Sequence, residues 1–267
     1  MPPIVGTFIL FLSAVLFLMK MEEYSRYVRQ LIIPGWGEAA QNRLKESMVF
    51  VAGAGGLGSP TLLYLTAAGA GRIVVCDVGA VELSNLNRQV LHPTESIGRA
   101  KPESASAALR ALNPHVEIVT HSVYIDDENI DDLAGGSDIL VDCLDNFPSR
   151  YVLNRYAVRT GTPFVHAGVE GLSGQATFIR PPETPCLDCI FPEDPAGYVK
   201  DEEDRTIPIV GAAAGLIGCL EALEVLKYLT GTGSTLEGRI LHFDGDMSKT
   251  FEFAVEKNPG CSVCGRD

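Results

Sequence analysis

At 267 residues, 46% hydrophobic and 21% charged, the chain can bury a full α/β core, and disorder is confined to local segments. A formal net charge of −13 works against polyanion binding, because affinity for nucleic acid comes from Lys and Arg displacing the counterions around phosphates. No nucleic-acid partner is expected, and any phosphate site must be a local cluster of cations in an acidic molecule.

The chain opens on a hydrophobic segment, residues 1–20. Met1 to Met19 carries no charge and includes IVGTFILFLSAVLFLM, near the lower length limit for spanning a hydrocarbon core. It shows neither the basic start nor the small-residue cleavage site of a secretory signal. Two readings stand: a membrane tether, or an upstream extension of the reading frame with Met19 or Met21 as the start. In both, one domain occupies residues 21–267 and its fold begins near Tyr24.

From Ser47 onward, short apolar runs alternate with longer amphipathic stretches, the pattern of βαβ units and a parallel sheet. MVFVA (48–52), RIVVCD (72–77), VEIVTHSVYI (116–125), DILVDCLD (138–145) and PFVHAG (163–168) read as buried strands. Ser59–Ala68, Lys101–Asn113 and Ser149–Thr160 read as crossover helices, which right-handed connections place on the two faces of one sheet. The fold class is therefore α/β, a Rossmann-like, doubly wound, mostly parallel sheet. After Gly168, GQATFIR suggests a strand, Pro181 to Pro195 is irregular, and GYVKDEEDR (197–205) is a polar crossing loop with too little apolar surface to fold tightly. Residues 211–231 read as a core helix rather than a membrane span, because Glu221, Glu224 and Lys227 fall on its later turns. RILHFDGDMSKTFEFAV (239–255) alternates like a hairpin turning at Asp244 to Asp246, which adds an antiparallel C-terminal extension.

The first chemical motif is GAGGLG, carrying Gly53, Gly55, Gly56 and Gly58 between a strand and a helix. Glycines let the backbone approach a ligand closely, while the helix N-terminus aims free N–H groups at a phosphate. Alone the motif is a modest signal, since a turn glycine-rich for packing looks similar. Asp77, closing the next strand, strengthens the nucleotide reading as a ribose ligand; its alternative is to cap a turn. Dehydrogenases share these features but need no added cations near the phosphates. Arg88 and Lys101 would each alone read as a solvated surface cation, but together beside the glycine loop they are what a triphosphate losing pyrophosphate requires. Asp145 and Asn146 end the fourth strand, where open α/β sheets place their ligands. A carboxylate there suits a Mg²⁺ ligand, with capping of the helix near Ser149 as the alternative for Asp145. Asp142, of opposite strand parity, faces away from that position or caps a neighbour.

Seven cysteines divide into three within apolar runs (Cys76, Cys143, Cys219) and two C-x-x-C pairs, Cys186/Cys189 and Cys261/Cys264. Four thiolates in two chelating turns are the ligand set of a closed tetrahedral zinc site, structural because no coordination position is left open. Two redox or disulfide pairs are the alternative. This usage fits a reduced, cytoplasmic protein. His166 reads as a hydrogen-bonded core residue that could approach a substrate tail, and His92, His115, His121 and His242 show no site spacing.

Taken together, the chain from about Tyr24 to Cys264 resembles the MoeB/ThiF/HesA family of ubiquitin-like-protein activating enzymes. The resemblance rests on RYVRQ (26–30), GAGGLGS (53–59), DVGAVELSNLNRQ (77–89), GRAKPESA (98–105), DCLDNFPSR (142–150), GQ (174–175) and the C-x-x-C pairs. It implies ATP-dependent adenylation of the C-terminal glycine of a small ubiquitin-like sulfur carrier ending in Gly-Gly, with Mg²⁺ and release of pyrophosphate. It further implies that Gly56 and Asp77 hold the nucleotide, that Ser84, Asn85, Asn87, Arg88 and Lys101 line the phosphates, and that Asp145 binds Mg²⁺ beside Asn146. Arg29 resembles the arginine that reaches ATP from a partner subunit, which implies a homodimer; Arg29, Arg88, Lys101 and Asp145 are then the catalytic set. One departure stands out: no cysteine lies between Cys189 and Cys219, where many members carry one for a thioester or persulfide step. Adenylation without sulfur transfer is therefore expected, and an NAD- or FAD-dependent oxidoreductase is the alternative.

Overall fold

A computed structural model describes residues 21–193 and 207–265. The tether-or-extension segment 1–20 and the polar loop 197–205 lie outside the described residues.

Two helices absent from the sequence reading precede the sheet: α1 over residues 21–31 and α2 (Gly37–Glu46). Then follow β1 (Met48–Ala52), α3 (Gly58–Ala68), β2 (Arg72–Cys76), α4 (Lys101–Leu112), β3 (Glu117–His121), α5 (Ile130–Ala134), β4 (Ile139–Asp142), α6 (Phe147–Thr160) and β5 (Phe164–Glu170). The chain continues through β6 (Ser173–Ile179), α7 (Leu187–Ile190), α8 (Gly211–Thr230), β7 (Arg239–Asp244) and β8 (Lys249–Ala254). All eight strands join one sheet in the order β3-β2-β1-β4-β5-β6-β7-β8. The pairings from β3 to β5 are parallel, and those from β5 to β8 antiparallel. Strand order reverses at β1 and β4, and the crevice above that reversal is where such sheets bind ligands.

Consecutive apolar residues in β1 and β2 are explained by burial on both faces. Val49, Val51, Ile73, Val75, Ile139 and Val141 point into a core shared with Leu62 and Leu65 of α3, Leu109 of α4, and Ile217 and Val225 of α8. Phe50, Val74 and Leu140 point the other way, against Ile130 of α5 and Leu153 and Tyr156 of α6. The two periods, 2 in the strands and 3.6 in the helices, meet in both layers. Helix α8 is a core helix as expected, but Glu221 and Glu224 are fully buried rather than solvated. Glu224 Oε2 accepts the N–H of Leu236 (2.7 Å), and its other oxygen pairs with Lys227. Among the described residues no helix is long and apolar enough to cross a membrane.

Several boundaries differ from the sequence reading for local reasons. Strand β4 stops at Asp142, so Asp145 and Asn146 lie in the loop beyond it rather than ending the strand. Strand β3 stops at His121, and residues 123–125 run along the cleft mouth instead. Helix α6 starts at Phe147 because Asn146 is its N-cap, accepting the Ser149 N–H at 3.0 Å, with proline in the first turn. The final hairpin turns over residues 245–248, where Asp244 Oδ1 accepts the Met247 N–H and Ser248 takes a positive φ of 52°.

Candidate active site and thiolate cluster

Gly53, the residue after strand β1, has φ +99°, and a Cβ there would come within 2.5 Å of the Cys143 carbonyl oxygen. A Cβ on Gly58 would lie 2.1 Å from the Gly53 carbonyl oxygen, so only glycine lets α3 start this close to the strand. The loop between them lines a cleft of about 630 Å³ at the C-terminal ends of β1, β2 and β4. Gly53, Gly55, Gly56, Asp77, Arg88, Lys101, Asp145 and Asn146 all line this one cleft.

Asp77 is engaged from two sides. Its Oδ2 accepts the Ala54 N–H (2.8 Å) and its Oδ1 accepts the Gly79 N–H (2.7 Å), so it shapes the glycine loop and caps the β2 exit turn. Each oxygen keeps a second lone pair for a ligand hydroxyl. The turn-capping and ligand readings of Asp77 are thus compatible. Lys101 Nζ and Asp77 Oδ1 both come within about 3.1 Å of the place a Cβ on Gly79 would occupy, which sets the ammonium over that turn. His92 supports the loop from below: Nε2 meets the Ala54 carbonyl (2.8 Å) and Nδ1 meets Ser104 Oγ (3.0 Å). Burial lowers the His92 pKa, so the neutral ring donates to the carbonyl and accepts from the hydroxyl.

Arg88 lies across the loop, with Cγ 3.5 Å from where a Gly56 Cβ would stand. Its Nη1 donates to the Ser84 carbonyl (3.0 Å) and Asn87 Oδ1 (3.1 Å), and the Asn85 carbonyl accepts the N–H groups of Arg88 and Gln89. Ser84, Asn85 and Asn87 therefore aim the arginine; their side chains do not line the cleft. Asp145 is exposed and makes no hydrogen bond or ion pair among the described residues. The capping alternative for Asp145 is corrected, since Asn146 does that work. Asp142 is wholly buried, beside His166 and Arg150. Arg29 is exposed on α1, which packs through Tyr27 against Gly69 and Asn113 at the far ends of α3 and α4. It does not reach the cleft of its own chain.

Behind the loop, Thr61 Oγ1 (3.3 Å) and Cys143 Sγ (3.4 Å) both approach Glu221 Oε2. Burial raises the Glu221 carboxyl well above the ordinary value of 4.5, and Asp142 adds to the shift. A carboxyl raised on folding binds its proton more tightly in the native than in the unfolded state, so its contribution to stability falls as pH rises from about 4.5 toward the folded value. Replacing Glu221 by Gln removes that dependence. The difference in urea midpoint between Glu221→Gln and the parent is expected to move in the variant's favour steadily from pH 5 to pH 8. A pH-independent difference would contradict a neutral Glu221.

The second feature is the thiolate cluster. Cys186, Cys189, Cys261 and Cys264 bring their sulfurs within 4.8 Å of one another. The Cys186–Cys189, Cys186–Cys261 and Cys189–Cys264 separations are 3.9, 3.6 and 3.3 Å. A tetrahedron with Zn–S bonds of about 2.3 Å has edges of about 3.8 Å. Backbone N–H groups of Asn258, Val263 and Cys264 approach these sulfurs at 3.4 to 3.5 Å, as they do around metal-bound thiolates. Burial pushes the Cys186 thiol well up and Cys261 up to about 11. A bound cation is what would hold all four as thiolates. The donor set and its spacing fit zinc.

A model of the ThiF family matches residues 27–263, which is nearly every described residue. The chain belongs to the ThiF family. The SAMP-activating enzyme E1 of Haloferax volcanii is 43% identical over 245 residues, covering 91% of this chain and 89% of that protein. The sulfur carrier protein adenylyltransferase of Thermus thermophilus is 40% identical over 250 residues, covering 91% and 92%. The crystal structure of E. coli MccB with ATP matches with a TM-score of 0.77 and 26% identity, over 85% of this chain and 68% of that one. The protein is thus an adenylyltransferase of the ThiF family, with the mostly parallel sheet of that fold. Several lining residues went unassigned in the sequence: Gln89, Val123, Tyr124, Arg150, Gln175 and His242. Gln89, Arg150 and Gln175 sit inside the motifs DVGAVELSNLNRQ, DCLDNFPSR and GQ, which is the one signal that pointed to them. The others reach the cleft only through tertiary placement.

Proposed function

We propose that this protein uses MgATP to adenylate the C-terminal glycine carboxylate of a small ubiquitin-like sulfur carrier ending in Gly-Gly. What supports this reading is that the glycine loop, Asp77, Arg88, Lys101 and Asp145, which has no partner among the described residues, meet in one cleft. A carrier carboxylate oxygen attacks the α-phosphorus, the bond to the bridging oxygen breaks, and pyrophosphate leaves. No general base is needed, since a C-terminal carboxylate is ionised at neutral pH. The chemistry joins two anions, so placement and charge screening supply most of the acceleration. The loop N–H groups, Arg88 and Lys101 screen the phosphates, Asp77 orients the ribose, and Asp145 is the residue that would hold Mg²⁺, which neutralises charge on the departing oxygens when bound.

Arg29, unable to reach its own cleft, supports a homodimer in which each copy completes the other's phosphate site. The absence of cysteine between Cys189 and Cys219 supports adenylation alone, with sulfur delivered by another protein. Zinc is the structural metal of the four thiolates, and a cytoplasmic location suits reduced cysteines. Family membership and the paired cations argue against the nicotinamide or flavin alternative. The test is ATP–pyrophosphate exchange with labelled pyrophosphate. Exchange that appears only with a Gly-Gly-tailed carrier supports the reading; tight NAD binding without exchange would overturn it.

A further inference from the structure

Asp145 has no bonded partner among the described residues, yet the backbone on both sides of it is fixed. The Leu144 N–H donates to Asp142 Oδ1 at 3.1 Å, and the Leu144 carbonyl accepts from Arg150 Nη2 at 2.5 Å. On the other side, Asn146 is pinned as the cap of α6. The residue between them is left with a free carboxylate at the cleft wall.

Arg150 ties this loop to the sheet. Its Nη2 also reaches the Ala167 carbonyl on β5 (3.3 Å), and its guanidinium carbon stands 5.1 Å over the Phe147 ring. Its Nε lies 3.4 Å from Asp142 Oδ2, an ion pair without hydrogen-bond geometry. Asp142 is held in turn by His166 Nδ1, 2.6 Å from the same oxygen. The side chains are 10%, 0% and 2% exposed, so all three belong to the floor beneath the loop. Desolvation offsets much of the attraction within a buried ion pair, so stability alone does not account for placing one here. A planar guanidinium can hold two carbonyls and a carboxylate in fixed directions, which an ammonium cannot do.

We propose that Arg150, oriented by buried Asp142, is a positioning residue that presents the Asp145 carboxylate to metal-bound nucleotide. The inference rests on the reading of Asp145 as the residue that holds Mg²⁺. Partners that orient a metal-ligating carboxylate are worth about 10- to 100-fold in metal affinity.

The test compares ATP dissociation constants, measured by titration calorimetry in Mg²⁺ and in EDTA, for the parent protein, Arg150→Lys and Asp142→Asn. Arg150→Lys keeps the charge and loses the fork. It is expected to lose about tenfold of the Mg²⁺-dependent gain in affinity, read as the ratio of the dissociation constants in EDTA and in Mg²⁺. Asp142→Asn is expected to move the same way by a smaller factor. If both affinities weaken together, or if a folded Arg150→Lys keeps the full Mg²⁺ gain, the proposal is overturned. Should circular dichroism find Arg150→Lys unfolded, Asp142→Asn decides by the same comparison. A parent protein that binds ATP with no Mg²⁺ gain overturns the underlying role of Asp145, a failure distinct from that of Arg150.

Discussion

Carrier-dependent ATP–pyrophosphate exchange is expected to fall at least about a hundredfold in Arg88→Ala, the scale of removing one preorganised donor from a site of developing charge. The reason is geometric. Arg88 is held by the Ser84 carbonyl and Asn87 Oδ1, so its guanidinium is already placed beside the loop before any nucleotide arrives. A preorganised cation costs no reorganisation when charge moves onto the departing pyrophosphate. Asp145→Ala is expected to lose exchange equally, since a triphosphate beside a bare phosphate loop lacks its counter-ion. Neither residue supports the core, so both variants should keep the parent melting temperature and still bind the carrier. Exchange at the parent rate in either variant would refute its assignment.

The second large effect is expected at the thiolate cluster. Metal analysis should find close to one zinc per chain, and Cys261→Ser should lose it together with much of the folded state's stability. A structural zinc contributes on the order of 10 kcal/mol to a small metallo-domain, against a typical total stability of about 5–15 kcal/mol. Here the cluster fastens two distant parts of the chain, the segment after β6 and the C-terminal tail beyond β8. Leu187, between the first two ligands, is also tied to α6 through Asn154 Oδ1 (2.8 Å). Losing the cluster should therefore loosen the wall of the sheet near Phe191 as well as the tail. The disulfide alternative predicts the opposite sensitivities. Sulfur separations of 3.3 to 3.9 Å are far longer than the roughly 2.05 Å of a disulfide bond. A chelator should lower the melting temperature and a reductant should not; less than about half an equivalent of zinc would count against the site.

How much of this was readable beforehand depended on whether the determining contacts were local. Strands β1 and β2 were legible to within a residue because runs of apolar residues bounded by glycine and charge leave few alternatives. The glycine loop was legible for the same reason: Gly53 and Gly58 are required by backbone approaches within one turn of chain. Helices α1 and α2 were missed because their buried residues are few and scattered among charges; α2 buries only Ala40, Gln41 and Leu44. At the β4 exit, two polar neighbours competed for the capping role, and nothing local distinguished Asp145 from Asn146. Arg150 closes the motif DCLDNFPSR, but its role was unreadable because an arginine early in a helix reads as solvated. Its partners, Asp142 and the Ala167 carbonyl, come together only when β4 and β5 pair. Glu221 was unreadable for a related reason, since a glutamate on a long helix gives no sign that Thr61 and Cys143 will enclose it.

Adenylation is covalent and can be read directly on the product. Incubation with MgATP, a Gly-Gly-tailed carrier and pyrophosphatase, followed by acid quench and mass spectrometry, should show the carrier heavier by one AMP at its C-terminus. The gain should vanish when the terminal glycine is removed and when the enzyme carries Arg88→Ala. An unmodified carrier in the presence of enzyme that demonstrably binds ATP would contradict carrier adenylation.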